Sequence, residues 1–469
     1  MLIEIRGYNI IFMIVTVCGI GYSGLMIALF LCELGHKVNC FDNNQQVLEQ
    51  LKEGNISLNI NEPGINKLIK DYIQQNKITL FDNIHDAITN TDIVIIKIPV
   101  KGDISSIEDV NLKPLNDLIN NIIPYLNRNK YIPIFVSTTV PIGTCSMIVL
   151  NIQNTRPDLI ISKHYDIICA PVFLREGSAL HDLMKPDRLI FGFKQESELA
   201  DNIIKKMYKQ LKLRNIPFIY TNFETAELIK TATMGLATVN MAFTNEIEKL
   251  CTSTGVDFNI LAKGVGLDKR VGKESLIYNA GVGGSSLPRT SRILINSAKQ
   301  FGIDLSILSV ALESNIKRIK GISRKILKYY DINNKQIENI KRVAILGLAF
   351  KGLTTDITES PSIFVIQELL DNDISVALYD PYYLPYSCNL DSIPMKIKEN
   401  PSFYLCNSVY DAASQSDVLV VMTKWPEFNS LNIPKIIELM QRNKFDKPVL
   451  FDCVNMFSQY NTDFTYIAA

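Results

Sequence analysis

The 469-residue chain lacks a CxxC pair, histidines at zinc-ligand spacing, a long basic run and an apolar run long enough for a bilayer. Each absence removes a class. The nine cysteines are odd in number and dispersed, which fits buried thiols in a reducing compartment, not a disulfide framework. The four histidines, His36, His85, His164 and His181, offer no metal set, so no metal is expected. Lys+Arg and Asp+Glu both total 48, and with no basic stripe no nucleic-acid partner is expected. The run "IIFMIVTVC" at 10–18 is far below the roughly 20 residues a spanning helix needs, so no membrane partner is expected either. It leads straight into a glycine motif and reads as a strand; the segment before Met13 reads as an extra strand or an extended start. The first residues carry no convincing basic start or small-residue cleavage site, and a cytoplasmic protein is expected.

What is present is alternation. "IVTVCGIG", "KVNCFD", "DIVIIKIPV", "IPIFVST", "DIICAP" and "RLIFGF" are β-rich runs separated by helical patterns. Such alternation indicates a parallel sheet covered on both faces. After about residue 222 the period changes. One helix is expected over 225–252 and another from about Asp304, as N-cap, to Tyr330. These two helices suit either a dimer surface or packing within one chain. Near 341 the alternation restarts with "KRVAILGLAF", "SVALYDP", "DVLVVMTK" and "PVLFDCVN". The expected architecture is α/β: two doubly wound, Rossmann-like parallel-sheet domains joined by a central long-helix region. The boundaries are 1–222, 223–335 and 336–469.

"VCGIGYSGLMIALFLCELGHKVNCFD" carries Gly19, Gly21 and Gly24 in GxGxxG spacing between a strand and a helix. Gly19 permits the turn, Gly21 a close approach of backbone to pyrophosphate, and Gly24 close packing of helix on sheet. Asp42 closes the next strand, where a carboxylate binds a ribose 2′-hydroxyl and repels a 2′-phosphate. NAD is therefore favoured over NADP. The second α/β domain keeps one glycine, Gly347, at the equivalent turn, and Lys351 follows it.

Together with "NEPGI" at 61–65, "STTVPIGT" at 137–144, "PVFLREGSAL" at 171–180, "AELIK" at 226–230, "NEIEKLC" at 245–251, "GLDKRVG" at 266–272, "GVGGSSLPR" at 281–289 and "LGLAFKGLTTDITESPS" at 346–362, these motifs make a set. From about Val15 to Asn455 the chain resembles the UDP-glucose/GDP-mannose dehydrogenases, including the UDP-N-acetylmannosamine dehydrogenases. The resemblance implies NAD as cofactor, a nucleotide sugar as substrate, UDP-linked by preference, and a homodimer, with surface polysaccharide precursor synthesis as the usual setting. It implies cofactor contacts at Gly19, Gly21, Gly24, Asp42, Thr139 and Arg289. It implies catalytic roles for Lys230, Ser286, Glu176 and Thr139, and substrate contacts at Leu174, Arg175, Lys230, Arg270, Gly283 and Lys351.

The family performs a four-electron oxidation through a cysteine thioester, and its cysteine aligns with Ser286. A free thiol, with a pKa of about 8.5, is a few per cent thiolate at pH 7, whereas a serine hydroxyl without a base is almost un-ionised. Val172, Met234 and Thr290 stand where the family has glutamate, asparagine and aspartate, and Thr358 and Val454 stand where arginine is usual. The thioester apparatus is altered while the binding residues remain. A single two-electron oxidation, with Lys230 as base or alkoxide stabiliser, follows from this pattern. An NAD-retaining epimerase, a non-catalytic sugar-nucleotide-binding paralogue and a conventional 6-dehydrogenase stay open as alternatives.

Overall fold

A computed structural model of the chain describes residues 12–53, 62, 64–100, 110–272, 276–332, 341–386, 388–440 and 447–468. The segment before Met13 that was read as a strand or extended start falls, except for Phe12, outside these residues. The chain divides into two compact units, Met1–Ala232 and Thr233–Ala469.

Aliphatic runs too apolar to face water form the middle of each unit. In the first, β1 (Ile14–Cys18), β2 (Lys37–Phe41), β3 (Ile78–Phe81), β4 (Ile93–Ile96), β5 (Ile132–Val136), β6 (Tyr165–Cys169), β7 (Leu189–Phe193) and β8 (Phe218–Asn222) make one sheet. Its order is β3-β2-β1-β4-β5-β6-β7-β8. Every residue of β4, β5 and β6 is buried, as expected for strands with helices on both faces. Alternate residues serve two cores: Ile93 and Ile95 pack with Val15, Val17 and Leu25, while Val94 and Ile96 pack with Val136 and Ile148. The sheet departs from the all-parallel expectation at one step. β6 meets β7 antiparallel through Cys169 and Gly192, and β8 runs parallel to β7.

In the second unit β9 (Arg342–Leu346), β10 (Ser375–Tyr379), β11 (Phe403–Leu405), β12 (Val418–Val421), β13 (Val449–Asp452) and β14 (Thr465–Ala468) form a parallel sheet of order β11-β10-β9-β12-β13-β14. Both sheets reverse their winding beside the first strand, between β1 and β4 and between β9 and β12. That is where such folds bind ligands.

The helix Phe223–Thr254 begins in the first unit and continues into the second, and the helix Ser306–Ile332 lies in the second. The latter starts one residue later than the Asp304 cap implied. The carbonyl of Leu305 accepts the first helical amide, from Ser309, so Asp304 lies outside the helix. Among the described residues no helix is long and apolar enough to cross a membrane.

Candidate functional site

The first glycine turn is shaped by what a side chain would strike. Gly19 has φ +91°, and a Cβ there would lie 2.7 Å from the Lys97 carbonyl oxygen. At Gly24 a Cβ would lie 1.8 Å from the Gly19 carbonyl oxygen, so the helix Tyr22–Glu33 presses on the turn itself as well as the sheet. Gly21 differs: nothing lies within 4 Å of where its Cβ would be, and no side chain caps the helix there. Uncapped amides with open space in front fit a diphosphate. Asp42 Oδ2 accepts from the Ile20 amide at 2.8 Å and Oδ1 from Asn44 at 2.9 Å. Its carboxylate thus steadies the turn.

Tyr22 joins this turn to the 171–180 stretch. Its hydroxyl donates to Glu62 Oε1 at 2.5 Å and accepts from the Gly177 amide at 3.1 Å. Glu62 also accepts from the amides of Ala179 and Leu180, capping the helix Ala179–Met184. Burial, then hydrogen bonding to Glu62, pushes the Tyr22 hydroxyl far up, so it stays a donor. On this stretch Val172, Leu174 and Glu176 are half-buried. Arg175 is exposed and grips Asp182 with Nη2 to Oδ1 at 2.8 Å and Nε to Oδ2 at 3.1 Å.

Lys230 is 7% exposed on the helix Phe223–Thr254. Its Nζ lies 4.7 Å from the centre of the Phe173 ring, and the Arg188 guanidinium lies 4.1 Å from the same ring. Burial first, and the Arg188 charge second, lower the ammonium to about 8. One turn earlier Glu227 accepts from the amides of Gly143 at 2.6 Å and Cys145 at 2.8 Å. It thereby caps the helix Thr144–Thr155 that follows the loop carrying half-buried Thr139. Thr139's loop and Lys230's helix are fastened through that carboxylate. Glu227 also sits with Cys145 and Cys169 as a group of potential metal ligands. Its oxygens already accept two amides, and a hydrogen bond to Cys169, then burial, push the Cys145 thiol up.

In the second unit the 278–290 loop is held by side chains from three other segments. Asn315 accepts from the Val282 amide at 2.6 Å and donates to its carbonyl at 2.9 Å, acting as a strand partner. Arg318 donates to the Asn279 carbonyl at 2.8 Å and pairs with Glu248 at 2.8 Å. The amides of Gly284 and Ser285 donate to the Thr358 carbonyl and the Asp356 carboxylate. A Cβ at Gly283 would lie 2.7 Å from the Glu359 carbonyl oxygen. Ser286 is exposed, and its hydroxyl does not cap the helix Leu287–Gln300. Arg289 is half-buried in that helix's first turn, with its guanidinium lowered by burial, and Thr290 is buried. Lys351 is half-buried beside the Phe350 ring. Arg270 is the outlier: its side chain is 89% exposed and pairs with Asp268 at 2.6 Å.

The second unit's glycine turn repeats the carboxylate brace of the first and extends it. Gly347 has φ +98°, and the next two amides, of Leu348 and Ala349, donate to Asp380 Oδ2 at 2.7 and 3.2 Å. Trp425 Nε1 adds a third bond at 3.1 Å.

Three family models cover most of the chain: residues 13–212 match the NAD binding domain, 224–317 the central domain and 344–459 the UDP binding domain of the UDP-glucose/GDP-mannose dehydrogenase family. The chain belongs to the UDP-glucose/GDP-mannose dehydrogenase family. Its relatives there include the UDP-glucose 6-dehydrogenase of Rickettsia conorii, 31% identical over 94% of this chain and 95% of its own. UDP-glucose 6-dehydrogenase TuaD of Bacillus subtilis is 30% identical over 95% and 89%. A UDP-glucose dehydrogenase structure from the archaeon Pyrobaculum islandicum shares the fold at TM-score 0.83 and 23% identity, covering 98% of both chains. The UDP-D-ManNAc dehydrogenase of Pyrococcus horikoshii does so at 0.78 and 24%, covering 97% of this chain and 98% of its own.

As a member of this dehydrogenase family the chain uses NAD, and the turn around Gly21 has the room and the amides for it. The structure brings Gly19, Gly21, Gly24 and Asp42 together, and fastens Thr139 and Lys230 to one scaffold. In the other unit it places Gly283 and Ser286 on one loop and Arg289 in the first turn of the helix that follows. Glu62, Asn315 and Arg318 were not singled out from the sequence. Glu62 lay inside a quoted motif, but its partners are 40 and more than 110 residues away.

Proposed function

We propose that this dehydrogenase oxidises a UDP-linked sugar in a single two-electron step, with Lys230 as the base. NAD, when bound, supplies the two-electron acceptor. The observation that carries the reading is the buried Lys230, lowered to about 8 against Phe173 and Arg188. A lysine so lowered is partly neutral near pH 8 and can take a hydroxyl proton, while its charged form stabilises a developing alkoxide. Ser286, at the family's cysteine position by resemblance, offers an exposed hydroxyl and no thiol. Oxidation then stops at an aldehyde, or occurs at a secondary ring alcohol. By resemblance Glu176 and Thr139 join Lys230 in the chemistry, Arg289 binds cofactor, and Gly283 and Lys351 bind substrate.

The names of the relatives make UDP-glucose the first sugar to try. Stoichiometry with NAD and a panel of UDP- and GDP-sugars is the test. One NADH per sugar, with an aldehyde or ketone by mass spectrometry, is expected. Two NADH and a carboxylate would sink the single-step reading in favour of a conventional 6-dehydrogenase. A second reading, sugar-nucleotide binding without catalysis, is favoured by Thr358 and Val454 standing where the family has arginine. Thermal shifts with UDP-sugars and no NADH on any substrate would establish it.

We also propose a homodimer through the central helices. Leu236, Phe243 and Leu250 are exposed at seven-residue spacing on the helix Phe223–Thr254, a stripe along one face. Ile307 and Val310 are exposed on Ser306–Ile332. Phe243→Glu is expected to halve the mass measured by light scattering; an unchanged mass removes this face from the interface.

A further inference from the structure

Lys97 lies just beyond β4, and nothing in the motif pattern assigns it a role. Its amide donates to the Cys18 carbonyl at 2.8 Å, so it stands level with the residue before the glycine turn. It therefore occupies the β1–β4 switch point, at the carboxyl ends of the strands, where doubly wound sheets bind dinucleotides. Alternation settles its side. Ile93 and Ile95 pack into the core shared with the helix Tyr22–Glu33, and Lys97, two residues on, emerges on that same side. Its backbone walls Gly19, and a Cβ on Gly24 would lie 3.8 Å from Lys97 Cβ. The stem thus starts against the helix N-terminus that faces the diphosphate. The half-buried side chain then crosses toward β5, where Nζ donates to the Ser137 carbonyl at 3.0 Å.

We propose that Lys97 is a cofactor-binding residue whose ammonium engages the NAD diphosphate from the β4 side of the turn. The helix Tyr22–Glu33 presents its uncapped N-terminal amides at the same turn, and the Ser137 carbonyl accepts from the ammonium and keeps it at the crevice. The arrangement divides labour along the crevice: Asp42 faces the ribose with negative charge, and Lys97 faces the phosphates with positive charge.

The test compares wild type, Lys97→Met and Lys97→Arg, all full-length, with NAD, ADP-ribose and adenosine as ligands. Binding is followed by calorimetry, or by ligand-observed NMR for adenosine. Lys97→Met is expected to weaken NAD and ADP-ribose by roughly 10- to 100-fold, the range of a charge-assisted hydrogen bond, with adenosine unchanged. The affinity lost should shrink as salt is added, and Lys97→Arg should restore most of it. UDP binding should be equal in all three proteins, which separates a local effect from misfolding. Equal ADP-ribose affinity in wild type and Lys97→Met would overturn the assignment. An equal loss for adenosine would overturn it too, because Lys97 would then support the turn through Ser137 without meeting phosphate.

Discussion

Lys230→Met is expected to slow NADH formation by about 100-fold or more while making the protein more stable. The rate loss follows from removing a general base, typically worth about 10²–10⁴. The stability gain follows from the burial that lowers the lysine to about 8. A lysine lowered in the folded state binds its proton less tightly there than when unfolded. Folding therefore carries a cost that is complete below pH 8 and is recovered as pH rises from 8 toward the unfolded value near 10.4. Lowering by roughly two to three pKa units corresponds to about 3 kcal/mol at pH 7. Methionine keeps the length and apolar stem without the charge. Denaturant melts at pH 7 and pH 10 should show a large gain at the first and a small one at the second. The wild-type rate should rise with pH, be half-maximal near 8 and level off about one pH unit higher when the neutral amine takes the proton. A rate that falls above pH 8 would assign the charged form, and the alkoxide, instead. An undiminished rate in the methionine variant would remove Lys230 from the chemistry.

Arg318→Met is expected to cost about 3–5 kcal/mol of stability, the range for leaving one member of a buried pair alone. Arg318 and Glu248 have side chains only 3% and 1% exposed. Removing the guanidinium strands the Glu248 carboxylate and releases the Asn279 carbonyl from its donor. Adding Glu248→Leu should recover much of the loss, because the stranded charge is gone. Sugar-nucleotide affinity should stay low in the double variant, since Arg318 no longer holds the 278–284 loop. Chemical unfolding and UDP-sugar titration measure the two effects separately. A single-variant cost below about 1 kcal/mol would show that the pair carries little of the loop's order.

Both networks bear on what could be read in advance. β4, β5, β6, β12 and β13 are buried at every residue and announce themselves as unbroken aliphatic runs. β8 and β11 are sheet edges with exposed or half-exposed residues, so no comparable signal exists. The antiparallel step from β6 to β7 was hidden for another reason: a buried run looks the same whichever way its strand points. At the site, Gly19 and Asp42 were legible because local spacing sets their geometry. Val282's partner was not, because Asn315 lies 33 residues away and an asparagine on a helix does not advertise which backbone it will pair with. The burial of Lys230 depends on Phe173 and Arg188, brought from distant stretches by the sheet.

Asp380 gives the second fold the same kind of internal brace that Asp42 gives the first. Its carboxylate sits on the two amides after Gly347, as the Asp42 carboxylate sits on the Ile20 amide after Gly19, and the Trp425 indole adds a third donor. Because it is tethered to the same chain, its effective concentration at the turn is of the order of millimolar or higher, so the turn is ordered without any ligand. The two glycine turns are thus held in shape by the chain's own carboxylates, and a ligand that meets either one does not spend binding energy on ordering it.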